Sequence, residues 1–140
     1  MFSLGAAAIL MAFTTENKAF RDGKTFTVHL SGAEEVTPGD PDGTGMAVIT
    51  LNQGQGTISY QITVSNIDMP TSAHIHEAPA GQAGPVVFPL ATPVNGMSSG
   101  VIRNVSKELI KELRKNPENY YINVHNQEYP AGALRGQLSH

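Results

Sequence analysis

Thr57–Val64 reads TISYQITV, with Ile58, Tyr60, Ile62 and Val64 separated by Ser59, Gln61 and Thr63. Successive side chains of a strand point to opposite faces, so this alternation predicts a strand with one face in a core. Just before it, Gln53–Gly56 carries two glycines and reads as a hairpin-like turn, and Met46–Leu51 (MAVITL) as a second strand.

The same reading extends in both directions. Thr25–Ser31 places Phe26, Val28 and Leu30 on one face and Thr25, Thr27 and His29 on the other. Asn66–Thr71 turns through Pro70, and Ser72–Glu77 (SAHIHE) is a short strand with Ala73 and Ile75 facing inward. Ala78–Pro85 is a loop, Val86–Leu90 a strand, Ala91–Gly100 a small-residue loop and Val101–Val105 a further strand. Ser106–Asn116 is the one helix: Ser106 suits the N-cap, Glu108 the first turn, Arg114 and Lys115 the last, and Pro117 ends it. Tyr120–Asn126 (YYINVHN) is a strand with Ile122 and Val124 inward and Tyr121, Asn123 and His125 outward. Pro130–Gly132 turns the chain into a last strand, Ala133–Leu138, with Leu134 and Leu138 inward and Arg135 and Gln137 outward. Short strands at close spacing with one late helix near residues 106–116 predict an all-β, two-sheet Greek-key sandwich.

Composition narrows the chemistry. The chain has 140 residues, enough for one domain with a core of its own. It has no cysteine, which removes disulfides, thiolate metal ligands and thiol nucleophiles. Nine Lys plus Arg and a net charge of −3 leave no basic patch of the size nucleic-acid binding needs. Phe2–Phe13 (FSLGAAAILMAF) is twelve residues without a charge. That is too short to span a bilayer and matches the hydrophobic region of a signal peptide. A preceding Lys or Arg and a clear small-x-small cleavage site are missing. Residues 1–20 are therefore expected to be a signal peptide or hydrophobic N-terminal segment. Residues 24–138 are the folded domain, secreted, periplasmic or on the cell surface, with no membrane span in the mature chain. A buried N-terminal helix is the alternative.

The residues with the most chemistry are His74 and His76. Two apart on a strand, they share the outward face, roughly 6.5–7 Å apart at Cα. Imidazoles so placed can converge on one zinc, copper, nickel or iron ion. A polar strand face with hydrogen-bonded histidines is the plainer reading. His125 lies on the outward face of another strand, and three histidines from two strands would make an open metal site. Asn123 beside it, and Glu35 with Glu34 at the end of the first strand, could support the site. Arg135 is a candidate anion guide or the partner of an ion pair with Glu34 or Glu35. His29 and the terminal His140 are read as solvated. Pro38–Gly45 (PGDPDGTG) has calcium-loop spacing, but Leu51 stands where an EF-hand needs Glu, so a plain turn is expected. The loop Ala80–Pro85 lacks the features of a phosphate-binding loop. Asn104–Ser106 is a glycosylation sequon, relevant only in a eukaryotic secretory host.

Four blocks of the chain resemble CHRD domains, the modules named after the chordin proteins. They are Leu30–Val36 (LSGAEEV) with its following proline; Ala73–His76 (AHIH) with Gly81 and Gly84–Val87; Tyr121–Asn126 (YINVHN); and Leu134–Gln137 (LRGQ). Two positions depart from the family pattern: Thr37 stands where proline is frequent, and Ala133-Leu134-Arg135 replaces the more usual Glu-Ile-Arg. The resemblance implies an exported all-β module, repeated in chordin, where the protein binds growth factors, and single in many bacterial proteins. It implies an extracellular protein partner and hands over no activity. A weaker similarity links His74–Glu77 (HIHE) and the following A-G and G-P pairs to the copper-ligand strand of copper/zinc superoxide dismutases. That likeness implies copper at His74, His76 and His125, an anion-guiding Arg135 and an immunoglobulin-like or superoxide-dismutase-like sandwich.

Three functions follow as expectations. The first is an exported binding module with a surface histidine site for copper, or zinc. The second is a copper redox enzyme of dismutase-like type. The third is a metal-free structural or adhesive protein-binding module.

Overall fold

A computed structural model describes residues 23–140; the proposed signal segment lies outside them. Among the described residues eight strands are formed: β1 (Gly23–Ser31), β2 (Thr44–Asn52), β3 (Thr57–Ser65), β4 (Pro70–Glu77), β5 (Val86–Leu90), β6 (Met97–Ile102), β7 (Tyr120–Asn126) and β8 (Leu134–Gln137). One α-helix, α1 (Lys107–Lys115), lies between β6 and β7.

All strand pairs are antiparallel, and one ladder runs β5-β4-β7-β8-β1-β2-β3-β6. The expected division into two sheets is therefore replaced by a single eight-stranded sheet that curls almost shut. The joint between its halves is narrow: β1 and β8 meet in register at one pair, Ser31 with Arg135. The two edge strands, β5 and β6, are consecutive in the chain. Their connection is held to β3 by Ala91 N donating to Tyr60 Oη at 2.8 Å and Val64 N donating to Gly96 O at 2.9 Å. Pro89, which cannot donate to a ladder, sits on the edge strand β5, and Pro70 opens β4.

The inward faces read from the alternation meet in one core. Ile58, Ile62, Ile122 and Val124 are fully buried, as are Phe26, Val28 and Leu30. Burying such a side chain stabilises the fold by about 1.5–3 kcal/mol. Helix α1 adds Ile110 and Leu113 to this core. Its start is fixed by Ser106, whose Oγ accepts from Leu109 N at 3.1 Å.

Several boundaries differ from the sequence reading, among them the start of β4 at Pro70, inside the stretch Asn66–Thr71 read as a turn. β6 begins at Met97, inside the stretch read as loop, because Met97–Ile102 pairs with Ile58–Thr63 of β3. Pairing outweighs the weak strand preference of Ser98, Ser99 and Gly100. Val105 is not in a strand but is buried against the core. The stretch read as a turn over Pro38–Gly45 ends at Gly43, where Asp40 Oδ1 accepts from Asp42 N and Gly43 N, and Thr44 and Gly45 already belong to β2.

Candidate functional site

The site grows from the register of β4, β7 and β8. His74 faces Asn123, His76 faces Tyr121, and Ser72 faces His125 across β4–β7. Asn123 then faces Arg135 and Tyr121 faces Gln137 across β7–β8. Because side chains alternate along a strand, these residues share the face opposite the core. That face is not open to solvent. The segment 32–40 and the loops 78–85 and 127–132 lie over parts of it, so His76, Asn123 and Arg135 are buried. A second, polar core thus sits outside the sheet.

The three histidines come together there. One ring nitrogen from each of His74, His76 and His125 lies within 4.8 Å of the others. Around a tetrahedral ion with bonds of about 2.05 Å, nitrogens stand about 3.4 Å apart, so modest ring rotations close the set. Ring centroids are 5.4 Å apart for His74–His76, 5.2 Å for His74–His125 and 6.4 Å for His76–His125. Among the described residues, this is the one cluster of three or more metal-ligating side chains. The three histidines could hold a metal ion.

The outer nitrogens are tethered. His76 Nδ1 donates to Gly84 O at 2.9 Å, and His125 Nδ1 donates to Pro130 O at 2.9 Å. A carbonyl on one ring nitrogen fixes the tautomer and leaves the other as a lone pair, the form a metal takes. His76 Nε2 and His125 Nε2 both lie near Asn123 Oδ1, at 2.9 and 3.1 Å. His74 Nδ1 is buried without a hydrogen-bond partner in the protein. Burial, with His125 and His76 nearby, pushes the His74 pKa below its ordinary value, against a hydrogen bond with Asn123 that works the other way. Burial also lowers His125, although the Pro130 carbonyl works the other way. Both effects favour neutral imidazole at physiological pH.

His76 is further clamped by stacking. Its ring lies 4.7 Å from that of Tyr121 at an interplanar angle of 3°, and the Arg135 guanidinium carbon lies 3.4 Å from the Tyr121 ring centroid. Tyr121 Oη accepts from Gly84 N at 3.1 Å, so Gly84 joins both layers of the stack.

Arg135 is 1% exposed. Its guanidinium donates to Gln82 O at 2.7 Å, Pro79 O at 3.1 Å and Gln137 Oε1 at 3.1 Å. Gln137 Nε2 in turn donates to Ala78 O at 2.7 Å. Arg135 therefore staples the 78–85 loop, the loop that carries the Gly84 carbonyl. Where an ion pair with Glu34 or Glu35 was expected, the guanidinium hydrogen-bonds to these three oxygens, and Glu34 is exposed. Glu35 is half-buried, with Oε1 lacking a partner. Burial raises its pKa to about 7, against the opposing pull of Arg135 and a hydrogen bond with Asn123.

The remaining sequence candidates fall away from the site. His29 is exposed on the far side of β1, and His140 is exposed with its ring 6.4 Å from Phe26. Glu77 is exposed and accepts from Tyr120 Oη at 3.2 Å. The residues that sequence reasoning did not single out are Tyr121, Gly84 and Pro130. Tyr121 carried a signal, since it lies two before Asn123 on the same face; the tethers from Gly84 and Pro130 are backbone carbonyls, which leave no trace in residue type.

Among the described residues, no helix is long and apolar enough to cross a membrane. Comparison with curated proteins and with solved structures gave no match, so the likeness to copper/zinc dismutases rests on HIHE and the A-G and G-P pairs after it. The family model of the CHRD domain matches residues 26–138, which takes in β1 from Phe26 onward, all of β2–β8 and all the residues of the histidine cluster. The chain belongs to the CHRD domain family.

Proposed function

We propose that this CHRD domain is an exported module that binds a copper ion through His74, His76 and His125. The observation that carries the reading is the convergence of the three imidazoles, two of them held through Nδ1 by backbone carbonyls. Copper is favoured over zinc because three nitrogens without a thiolate follow the general affinity order of divalent ions. Export rests on the apolar stretch Phe2–Phe13 and on the family's extracellular character, with an extracellular protein as the partner. In this reading Arg135 acts through the loop and Tyr121, and it does not meet an incoming anion.

A redox enzyme is the second reading, and the stack of Tyr121 on His76 favours it, since an aromatic ring beside a copper ligand is a path for electrons. Metal content separates the readings. Protein purified from the native host without a histidine tag should carry close to one equivalent of copper. Metal-free protein that stays so after incubation with copper would leave the adhesive, metal-free module. Superoxide turnover by the copper-loaded form would favour the enzyme.

A further inference from the structure

Asn123 is 3% exposed, and its Oδ1 faces two ring nitrogens at once, His76 Nε2 at 2.9 Å and His125 Nε2 at 3.1 Å. The opposite nitrogen of each ring is committed to a carbonyl, of Gly84 and of Pro130. A carbonyl only accepts, so each Nδ1 holds the proton and each neutral ring presents a bare lone pair at Nε2. An amide oxygen and two bare nitrogens have no proton to share. Turning the amide would bring its NH2 onto the rings. The hydrogen bond between Glu35 and Asn123 opposes that turn, because a carboxyl oxygen accepts from the NH2 and holds it away from the histidines. A cation among the three groups removes the conflict, and His74, with Nδ1 unpartnered, is the open donor beside it.

Glu35 has a seat built for it. A Cβ on Gly132 would lie 2.3 Å from Glu35 Oε2 and 2.4 Å from both its Cδ and Oε1, so only glycine leaves room for the carboxyl group. Gly132 also has φ +139°, a backbone conformation that other residues rarely adopt.

We propose that Asn123 is the fourth ligand of the histidine site, giving its side-chain oxygen to the ion held by His74, His76 and His125, and that Glu35 is the positioning residue that keeps this oxygen turned inward. The proposal rests on the reading of the three histidines as a metal site. It adds a hard oxygen to three nitrogens, which favours a divalent ion over Cu(I).

The test is Cu(II) titration of the full chain with electron paramagnetic resonance of the loaded forms. Asn123→Ala should weaken Cu(II) binding by about tenfold or more and shift the copper hyperfine pattern. Asn123→Asp keeps the shape, supplies a charged oxygen and should bind more tightly than the parent. Glu35→Ala should move the spectrum towards that of Asn123→Ala, whereas Glu35→Gln, which still accepts from the amide, should keep the parent spectrum. Equal or tighter binding by Asn123→Ala, with Asn123→Asp no better than the parent, would overturn the fourth ligand and make the amide a cap on the metal-free rings. A parent chain that binds no Cu(II) would instead overturn the histidine site and this proposal with it.

Discussion

Replacing Gly84 by alanine separates the packing of the 78–85 loop from the histidine site. A Cβ there would lie 1.9 Å from Glu77 O, 2.7 Å from Glu77 C and 2.8 Å from Ala78 Cβ. These are backbone and near-backbone atoms, so the loop must move outward by about 1.5 Å to reach ordinary contact. That shift breaks the hydrogen bonds from His76 Nδ1 to Gly84 O and from Gly84 N to Tyr121 Oη, and it strains the one from Glu77 N to Pro85 O. At about 1 kcal/mol each, the cost is about 2–3 kcal/mol, or a fall in Tm of roughly 6–15 °C. Freeing an imidazole from its carbonyl costs a metal site about 10–100-fold in affinity. Thermal unfolding by circular dichroism and Cu(II) titration read the two effects separately. Gly81→Ala is the control: it lies in the same loop with φ +82° and nothing within 4 Å of a new Cβ. It should cost about 1–2 kcal/mol of backbone strain and leave copper affinity unchanged. Parent-like copper affinity in Gly84→Ala, or an equal loss in Gly81→Ala, would refute the link between loop and ligand.

Other perturbations check separate parts of the account. Ile62→Ala, at a fully buried site facing the interior, should destabilise the domain by about 2–5 kcal/mol in urea unfolding; a loss below about 0.5 kcal/mol would place the inward face of β3 wrongly. Deleting residues 1–20 should leave Tm unchanged, because the family match begins at Phe26; a domain that no longer folds would give that segment a structural role. Copper affinity should fall as pH drops, because protons compete for the imidazoles, and burial, which sets His74 and His125 under their ordinary value, should move that fall to lower pH than for exposed histidines. Glu35 acts at the other end. Its folded pKa is raised from 4.5 to about 7, so the stability of the neutral form is full below pH 4.5 and is lost as pH rises through 7. Glu35→Gln should therefore raise Tm more at pH 8 than at pH 5, and an equal change at both would contradict the buried carboxyl.

The strands were legible wherever one face meets the core. Thr25–Ser31, Thr57–Val64 and Tyr120–Asn126 alternate because each packs a hydrophobic face inward, and Phe26, Val28, Leu30, Ile58, Ile62, Ile122 and Val124 are buried as the alternation predicts, although Tyr121 and Asn123 on the opposite face of β7 are buried too. β6 was misplaced because Ser98, Ser99 and Gly100 form a strand through pairing with β3, and pairing has no local signature. The single sheet was missed for a similar reason: its two halves are joined by one residue pair between β1 and β8, about 100 residues apart in the chain. His74 and His76 were readable from period two. The burial of their face was not, since it comes from loops anchored by Arg135 and Gln137, whose outward positions in the pattern suggested solvent.

The central claim is that His74, His76 and His125 hold one ion. Isothermal titration with Cu(II), on untagged protein with its N-terminal amine blocked, tests it most directly. The account predicts one tight site that His76→Ala and His125→Ala each weaken by far more than His29→Ala, which alters an exposed residue away from the cluster. Equal small losses in all three variants, or no binding by the parent below about 10 μM free Cu(II), an affinity near 7 kcal/mol, would contradict it.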